Sequence, residues 1–182
     1  MKNMLFIMNP KAGRTTLKNS LVDVLEVFCN NDYAVRTYLT KSADDAERIV
    51  QEEGANYDVI VCAGGDGTLG NTVTGYMKSG IKVPLGYIPC GSTNDFARSM
   101  DIPRETVEAA EMIVKAEPFS IDIGSLNDKN FVYVAAFGMF SDTSYATPQN
   151  MKNIFGHAAY VLQGIKSLAN VPSYKMKVTI DG

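Results

Sequence analysis

The stretch VCAGGDGTLG, residues 61–70, comes directly after apolar β-forming residues and leads into a pattern with helical spacing. Four of its residues are glycines, Gly64, Gly65, Gly67 and Gly70, and they surround one carboxylate, Asp66. A tight turn requires only one or two glycines. The others are explained if the backbone adopts positive φ angles, or if another group must approach the backbone N–H donors closely.

A glycine-rich turn that leads into a helix can direct several N–H groups and the helix N-terminus toward an anion, and phosphate is the natural ligand. Asp66 would repel a bare phosphate. It fits a site in which Mg²⁺ lies between the carboxylate and the phosphates, or one in which the aspartate binds a hydroxyl. The stretch therefore predicts a site for a nucleotide with its metal ion.

The sequence around this stretch alternates between strand and helix patterns. Strands are predicted at residues 4–8, 33–39, 58–63 and 83–88, and helices at 17–28, 42–54, 69–77 and 104–115. Ser42 is the predicted cap of the second helix, which closes at Gly54. The alternation is typical of an α/β fold with a parallel sheet, in which ligands bind at the carboxyl ends of the strands. Three loops rich in glycine and small polar residues follow those ends: NPKAG (9–13), GGDGT (64–68) and GSTND (91–95).

The part of the chain after Pro118 has a different pattern. Two strands joined by a hairpin turn are predicted at 119–126 and 131–137, followed by a helix at 152–168 and an alternating strand, SYKMKVTIDG, at 173–182. The last strand ends in Asp181-Gly182, a strong hairpin signal without a returning strand. We therefore expect an α/β domain over residues 1–119 and the beginning of a truncated, β-rich second domain over 120–182.

Composition excludes several classes of protein. The 182 residues are 46% apolar and 20% charged, which is enough for a sizeable core, and a net charge of −3 does not favour a general nucleic-acid binder. Three separated cysteines, each expected to be buried, and a single histidine argue against a structural zinc site and indicate a reducing compartment. The first apolar run, residues 4–8, is too short for a signal peptide or a membrane span. A cytoplasmic protein is predicted.

Familiar nucleotide motifs do not account for the glycines. The chain has no GxxxxGK[ST] motif and no protein-kinase signatures. Gly65, Gly67 and Gly70 match the dinucleotide fingerprint GxGxxG literally, but that motif requires an acidic residue about 20 positions further on. Residues 85–90 contain none, so we treat the match as chance.

Taken together, GGDGT, the upstream NPKAG and the downstream PCGSTNDFAR (89–98) resemble the lipid kinase catalytic domain of diacylglycerol and sphingosine kinases. NAD kinases and phosphofructokinases are more distant relatives that share GGDG. TSYATP (143–148) and GHAAYVLQGIKSL (156–168) resemble the soluble bacterial diacylglycerol kinases. The resemblance implies a Rossmann-like nucleotide-binding domain with a parallel sheet, of the NAD kinase and diacylglycerol kinase type, followed by a β-sandwich that begins near Ser120.

The resemblance also implies roles for individual residues, with ATP and Mg²⁺ as cofactors. Asp66 and Asp122 would act together around Mg²⁺ as catalytic and metal-binding residues, Asp122 lying mid-strand between Ile121 and Ile123. The proposed catalytic base of the family is a glutamate that is not in this chain, so the chain alone is expected to lack kinase activity. The positions that match nucleotide-binding residues are Asn9, Pro10, Lys11, Ala12, Gly13, Thr40, Gly65, Asp66, Gly67, Thr68, Thr93, Asn94 and Asp95.

Several residues keep two interpretations. Lys11 is either a solvated loop charge or a phosphate contact, and Asn94-Asp95 is either part of the site or a helix cap. Where the family usually has Asn-Glu after GGDGT(L/V), this chain has Gly70 and Asn71. A glutamate can orient a lysine, a ribose or a metal-bound water, whereas Asn71 can form hydrogen bonds but cannot neutralise charge.

The predicted function is that of a lipid kinase that transfers the γ-phosphate of ATP to a lipid hydroxyl, with diacylglycerol as the first choice and another lipid alcohol, such as phosphatidylglycerol, as the next. Such an enzyme requires reversible, peripheral membrane contact. The resemblance suggests a homodimer, which no residue pattern requires. Two alternatives remain: a phosphotransferase of the NAD kinase type, and a non-catalytic nucleotide-binding module, for which Asn71 is the support.

Overall fold

The computed structural model describes residues 1–12, 16–126, 129–134 and 179, and four of its strands form one parallel sheet. In chain order the elements are β1 (Lys2–Met8), α1 (Thr16–Asn30), β2 (Tyr33–Leu39), α2 (Asp45–Glu53), a 3₁₀ turn (Gly54–Asn56), β3 (Val59–Gly64), α3 (Asp66–Ser79), β4 (Leu85–Pro89), α4 (Asp95–Ser99), α5 (Thr106–Lys115), β5 (Gly124–Leu126) and β6 (Lys129–Phe131). The predicted α/β fold with a parallel sheet is confirmed.

The strand order is β2-β1-β3-β4, so the chain builds outward from β1 in both directions. Met8, the last residue of β1, is paired with Leu39 of β2 and Ala63 of β3, and Gly64 is paired with Pro89 of β4. All four strands therefore end at one edge of the sheet. The direction of winding reverses between β1 and β3, and such a switch point is where open α/β sheets bind ligands.

Helices cover both faces of the sheet, which explains why its central strands are continuously apolar. Alternate residues of β1 contribute to two cores: Phe6 packs on one face with residues of α1 and α5, and Ile7 packs on the other with residues of α2. Phe6 and Phe28 of α1 meet edge to face, with ring centroids 5.6 Å apart. All six residues of β3 are buried. The packed sheet therefore fixes the positions of the segments at its carboxyl edge.

Two details of α2 and α3 differ from the predictions. Ser42 does not cap α2, because the helix begins at Asp45, whose carboxylate accepts hydrogen bonds from the backbone N–H groups of Lys41 and Ser42. The helix predicted at 69–77 is longer, Asp66–Ser79, and Met77 within it is 47% exposed rather than part of its buried side. The buried side of that helix consists instead of Thr68, Leu69, Thr72, Val73 and Gly75.

The hairpin predicted after Pro118 is present but shorter than expected. Among the described residues, the antiparallel pair of β5 and β6 comprises Gly124–Leu126 and Lys129–Phe131, and residues 135–137 of the predicted second strand lie outside them. Residues 119–123 lie outside any strand, so the prediction that Asp122 lies mid-strand is wrong. The predicted helix at 152–168 and all but Thr179 of the predicted strand at 173–182 lie outside the described residues.

The chain divides into two compact units, Met1–Val134 and Ala135–Gly182, and the sheet lies in the first. The domain boundary expected after residue 119 remains a prediction. Within the described ranges, none of the helices has the length and apolar character needed to cross a bilayer.

Candidate functional site

The three predicted loops lie at the same edge of the sheet, which we call the carboxyl rim: residues 9–12, 40, 64–68 and 90–95. Backbone hydrogen bonds continue the pattern of the sheet into this rim. Asn9 donates to the carbonyl of Ala63 at 3.0 Å, Thr40 donates to that of Met8 at 2.9 Å, and Cys90 donates to that of Gly64 at 2.7 Å. The segments after all four strands are therefore held together by the sheet itself.

The GGDG stretch is a direct junction of strand and helix. β3 ends at Gly64, Gly65 is the N-cap in an extended conformation, and α3 begins at Asp66. None of the four glycines has a positive φ angle; among the described glycines only Gly80 does. The explanation from unusual backbone angles is therefore wrong for this stretch, and close approach is the remaining one.

Close approach within the protein accounts for two of the four glycines. A Cβ on Gly64 would lie 2.6 Å from the Cβ of Thr68. Gly65 faces Gly91 so closely that a Cβ on Gly91 would lie 2.6 Å from the Cα of Gly65. The contact between Gly65 and Gly91 brings the ends of β3 and β4 together, while Gly64 lies against Thr68 of α3. A side chain at Gly64 or Gly91 would collide with these neighbours.

Gly67 and Gly70 have no such explanation. A Cβ at either position would meet nothing within 4 Å, and both residues are inside α3. Glycine costs about 1 kcal/mol relative to alanine in a helix interior. Neither packing nor backbone geometry offsets that cost, so the open surface of the first turns of α3 has the properties of a cradle for a group from outside the chain.

Asp66 lies beside this surface, as the first residue of α3. Its carboxylate accepts hydrogen bonds from the Thr93 hydroxyl and from the backbone N–H of Phe96, both at 3.4 Å. A negative charge is also favoured at a helix N-terminus. Because both hydrogen bonds are long, each carboxylate oxygen has capacity for a further partner. The two contacts orient the carboxylate toward the segment after β4.

The side chain of Asn9 connects the end of β1 with the first turn of α3. Its side-chain amide donates to the Thr68 hydroxyl at 3.0 Å, while its side-chain oxygen accepts from the backbone N–H of Lys11 at 2.9 Å. Ala12 packs against the core below the loop, and Pro10 is half-buried. The loop therefore has a defined shape up to Ala12, and Gly13 lies outside the described residues.

Asn94 shapes the segment after β4. It is only 4% exposed and adopts a left-handed conformation, with φ 52°. Its side chain accepts from the backbone N–H of Gly91 at 2.8 Å and donates to the Gly91 carbonyl at 3.0 Å. No side chain caps α4. Asn94 does occupy the N-cap position of α4, but its side chain does not cap the helix, because its hydrogen bonds close the loop instead.

Tyr87 is a residue of the site that the sequence analysis missed. Its buried hydroxyl donates to the Gly64 carbonyl at 3.1 Å and lies 3.5 Å from the side-chain oxygen of Asn94. Burial raises the pKa of Tyr87 far above its usual range, so the hydroxyl remains a donor. The available signal was a tyrosine within the otherwise apolar β4, since a buried hydroxyl needs a partner.

The remaining predicted residues are distributed as follows. Asp95 begins α4 and is half-buried, and Thr40 is buried at the end of β2. Asp122 is exposed and forms no hydrogen bond or ion pair with another described residue. No three of the described acidic, histidine or cysteine side chains form a cluster that could hold a metal ion. The structure thus brings Asp66 and Thr93 together but does not join Asp122 to them.

The cysteines are not part of this chemistry. Cys62 and Cys90 are buried as expected, and burial raises the pKa of both thiols to about 12. Cys29 is exposed on α1, which contradicts the expectation for that residue.

The sequence is similar to those of diacylglycerol kinases. The family model of the diacylglycerol kinase catalytic domain matches residues 3–126. The diacylglycerol kinase of Bacillus subtilis (strain 168) is 35% identical over 184 residues, covering 100% of this chain and 61% of the relative. That of Staphylococcus aureus (strain JH9) is 35% identical over 185 residues, covering 100% and 58%.

Solved structures agree with the sequence comparison. The crystal structure of a diacylglycerol kinase from Bacillus anthracis str. Sterne matches with a TM-score of 0.67 and 31% identity, over 71% of this chain and 45% of that one. The chain spans about three fifths of the length of the curated relatives. The resemblance seen in the motifs is confirmed, and the chain belongs to the diacylglycerol kinase catalytic-domain family.

Proposed function

We propose that the carboxyl rim binds the phosphates of ATP against the first turns of α3. The observation that carries the proposal is the open surface at Gly67 and Gly70, where two helical glycines are unexplained by packing. Phosphates can approach the backbone N–H groups there, and the positive end of the dipole of this 14-residue helix favours them.

The residues of the rim fit Mg²⁺ as the accompanying cation. Mg²⁺ prefers oxygen ligands and commonly uses one or two carboxylates together with phosphate oxygens, so a cluster of three protein ligands is unnecessary. Asp66 would hold it, with Asp122 as the second carboxylate implied by the family. When bound, the ion would neutralise phosphate charge that Asp66 alone would repel.

The other rim residues would have two kinds of role. Lys11 and Thr40 would contact the nucleotide, as would Thr93, whose hydroxyl already lies beside Asp66. Asn9 and Asn94 would act as positioning residues, because their side chains are engaged in holding the loops. Asp95, at the start of α4, would lie at the border of the site.

The acceptor would be the hydroxyl of a membrane lipid, with diacylglycerol as the best candidate because the similar proteins carry that name. The lipid oxygen would form a bond to the γ-phosphorus while the bond to the bridging oxygen of ADP breaks, and the hydroxyl proton would pass to a carboxylate. The product would be phosphatidic acid. Most of the acceleration would come from positioning and charge neutralisation.

This chemistry implies reversible contact with a bilayer, since the acceptor lies in one, and the family resemblance suggests a homodimer.

Calorimetric titration with ATP tests the binding step directly. The chain is expected to bind ATP in the presence of Mg²⁺, and Asp66→Asn should weaken that binding by roughly tenfold or more, which corresponds to about 1.4 kcal/mol. Asp23→Asn is the matched control, because Asp23 is an exposed carboxylate on α1. Equal affinities for Asp66→Asn and the wild type would remove Asp66 from the site.

A further inference from the structure

The side chain of Asn71 reaches from α3 to the segment between β2 and α2. Its amide donates a hydrogen bond of 2.7 Å to the backbone carbonyl of Ala43. Residues 41–44 are exposed, so little of this segment is held by burial. A side chain 28 positions further along the sequence therefore fixes a segment that directly follows the carboxyl end of β2.

The other hydrogen bonds of residues 40–44 lead to different elements. Thr40 donates to β1 at 2.9 Å, and the backbone N–H groups of Lys41 and Ser42 donate to the Asp45 carboxylate at 2.6 and 3.1 Å. These two backbone donors lower the pKa of Asp45 to about 2, so the carboxylate is charged at neutral pH. Ala43 is the point at which the segment is attached to α3.

The attachment continues the contact between α2 and α3. Gly75 lies four residues after Asn71 and therefore on the same side of α3. It faces Glu47, four residues after Ala43, so closely that a Cβ on Gly75 would lie 2.4 Å from the Glu47 carbonyl oxygen. Lys78 adds an ion pair to the Glu47 carboxylate at 2.7 Å. Asn71 thus extends a backbone-to-backbone contact by one turn, up to the carboxyl rim.

Only a side chain with a donor can form this contact. The Ala43 carbonyl accepts, and a carboxylate at position 71 would offer no proton and would repel the carbonyl oxygen. We propose that Asn71 is a positioning residue that holds residues 40–44 against α3 and so fixes one border of the nucleotide site. The effect on nucleotide binding rests on the proposed function; the attachment itself does not.

Hydrogen exchange of the full chain tests the attachment without any ligand. In Asn71→Asp, which removes the donor at nearly constant shape, the amides of Lys41 and Ser42 should exchange about two- to tenfold faster, as expected for the loss of one hydrogen bond. Asn71→Gln retains the donor and should restore at least part of the protection. Asn56→Asp, the same change at an exposed position of the 3₁₀ turn, should leave exchange at residues 41–44 unchanged.

Titration with ATP and Mg²⁺ tests the functional part. Affinity should fall by about two- to tenfold in Asn71→Asp, and Asn71→Gln should recover part of it. Equal exchange in Asn71→Asp and Asn56→Asp would overturn the attachment. Faster exchange with unchanged ATP affinity would overturn the positioning role. A wild-type chain that binds no ATP would refute the proposed function, while the exchange rates would still decide whether Asn71 holds the segment.

Discussion

The first turns of α3 and its middle both contain glycine, for opposite reasons. At Gly67 and Gly70 a side chain would project into open space, whereas at Gly75 it would collide with the backbone of α2. Glycine thus leaves the helix surface open in one region and permits close packing of two helices in the other. The difference shows that glycine density along a helix identifies a binding surface only after the packed glycines have been recognised.

The largest effect is expected from adding a methyl group in the packed region. In Gly75→Ala the new Cβ would lie 2.4 Å from the Glu47 carbonyl oxygen, and a backbone neighbour cannot rotate away. We expect a loss of about 2 to 3 kcal/mol in the free energy of unfolding, as is usual for overpacking. Urea denaturation measures it, and an unchanged midpoint would mean that α2 and α3 are not in close contact.

The same change in the open region should behave in the opposite way. Gly67→Ala should stabilise the fold by about 0.5 kcal/mol, because alanine loses less conformational freedom and meets no neighbour. ATP affinity should nevertheless fall about tenfold, or 1.4 kcal/mol, if phosphates approach this turn. Denaturation and calorimetry on one variant separate the two effects. A more stable variant with full ATP affinity would contradict the proposed cradle.

A third test measures how completely the middle of α3 shields the Cys62 thiol of β3 from solvent. Thr72 donates a hydrogen bond to the Cys62 thiol at 3.3 Å, and burial raises the pKa of that thiol from its usual 9.0 to about 12. The unfolded chain therefore loses this proton first as pH rises. Stability should be intact below pH 9 and decrease between pH 9 and 12, by about 1 kcal/mol at pH 10 from this thiol.

Comparison of Cys62→Ala with Cys29→Ala isolates that contribution. Cys62→Ala should lower the free energy of unfolding by a packing term that does not vary with pH, and the remaining stability should depend less on pH than that of the wild type. Cys29→Ala changes an exposed residue and should follow the wild type. If the free energy of unfolding changed with pH in parallel for all three proteins between pH 8 and 10, the Cys62 thiol would not be shielded from solvent.

Much of the fold was predictable because its signals are local. The apolar runs that became β1 and β3, and the helical spacing of α1 and α5, depend on residues close in sequence, and parallel strands necessarily share a carboxyl edge. The predictions failed where local signals compete. Ser42 is a good cap, but the Asp45 carboxylate attracts two backbone donors and α2 begins later than expected.

The candidate site was predictable in its location but not in its construction. Asp66 and Thr93 were both expected at the rim, and the structure places them in contact. The roles of Asn94 and Tyr87 were not foreseen, because each depends on the distance between the ends of β3 and β4. Asp122 illustrates the reverse case, since a pattern of alternating residues indicated a strand that the chain does not form there.

The sequence by itself determined the order of the elements, the edge of the sheet at which the conspicuous loops meet, and the membership of the chain in its family, because periodicity and motifs are properties of short segments. Tertiary structure alone decided which glycines are pressed against a neighbour and which are open, and which polar side chains hold loops in place. The physical reason is that these properties depend on the distance between elements such as α2 and α3. A change in that distance by the size of one methyl group changes the role of a residue.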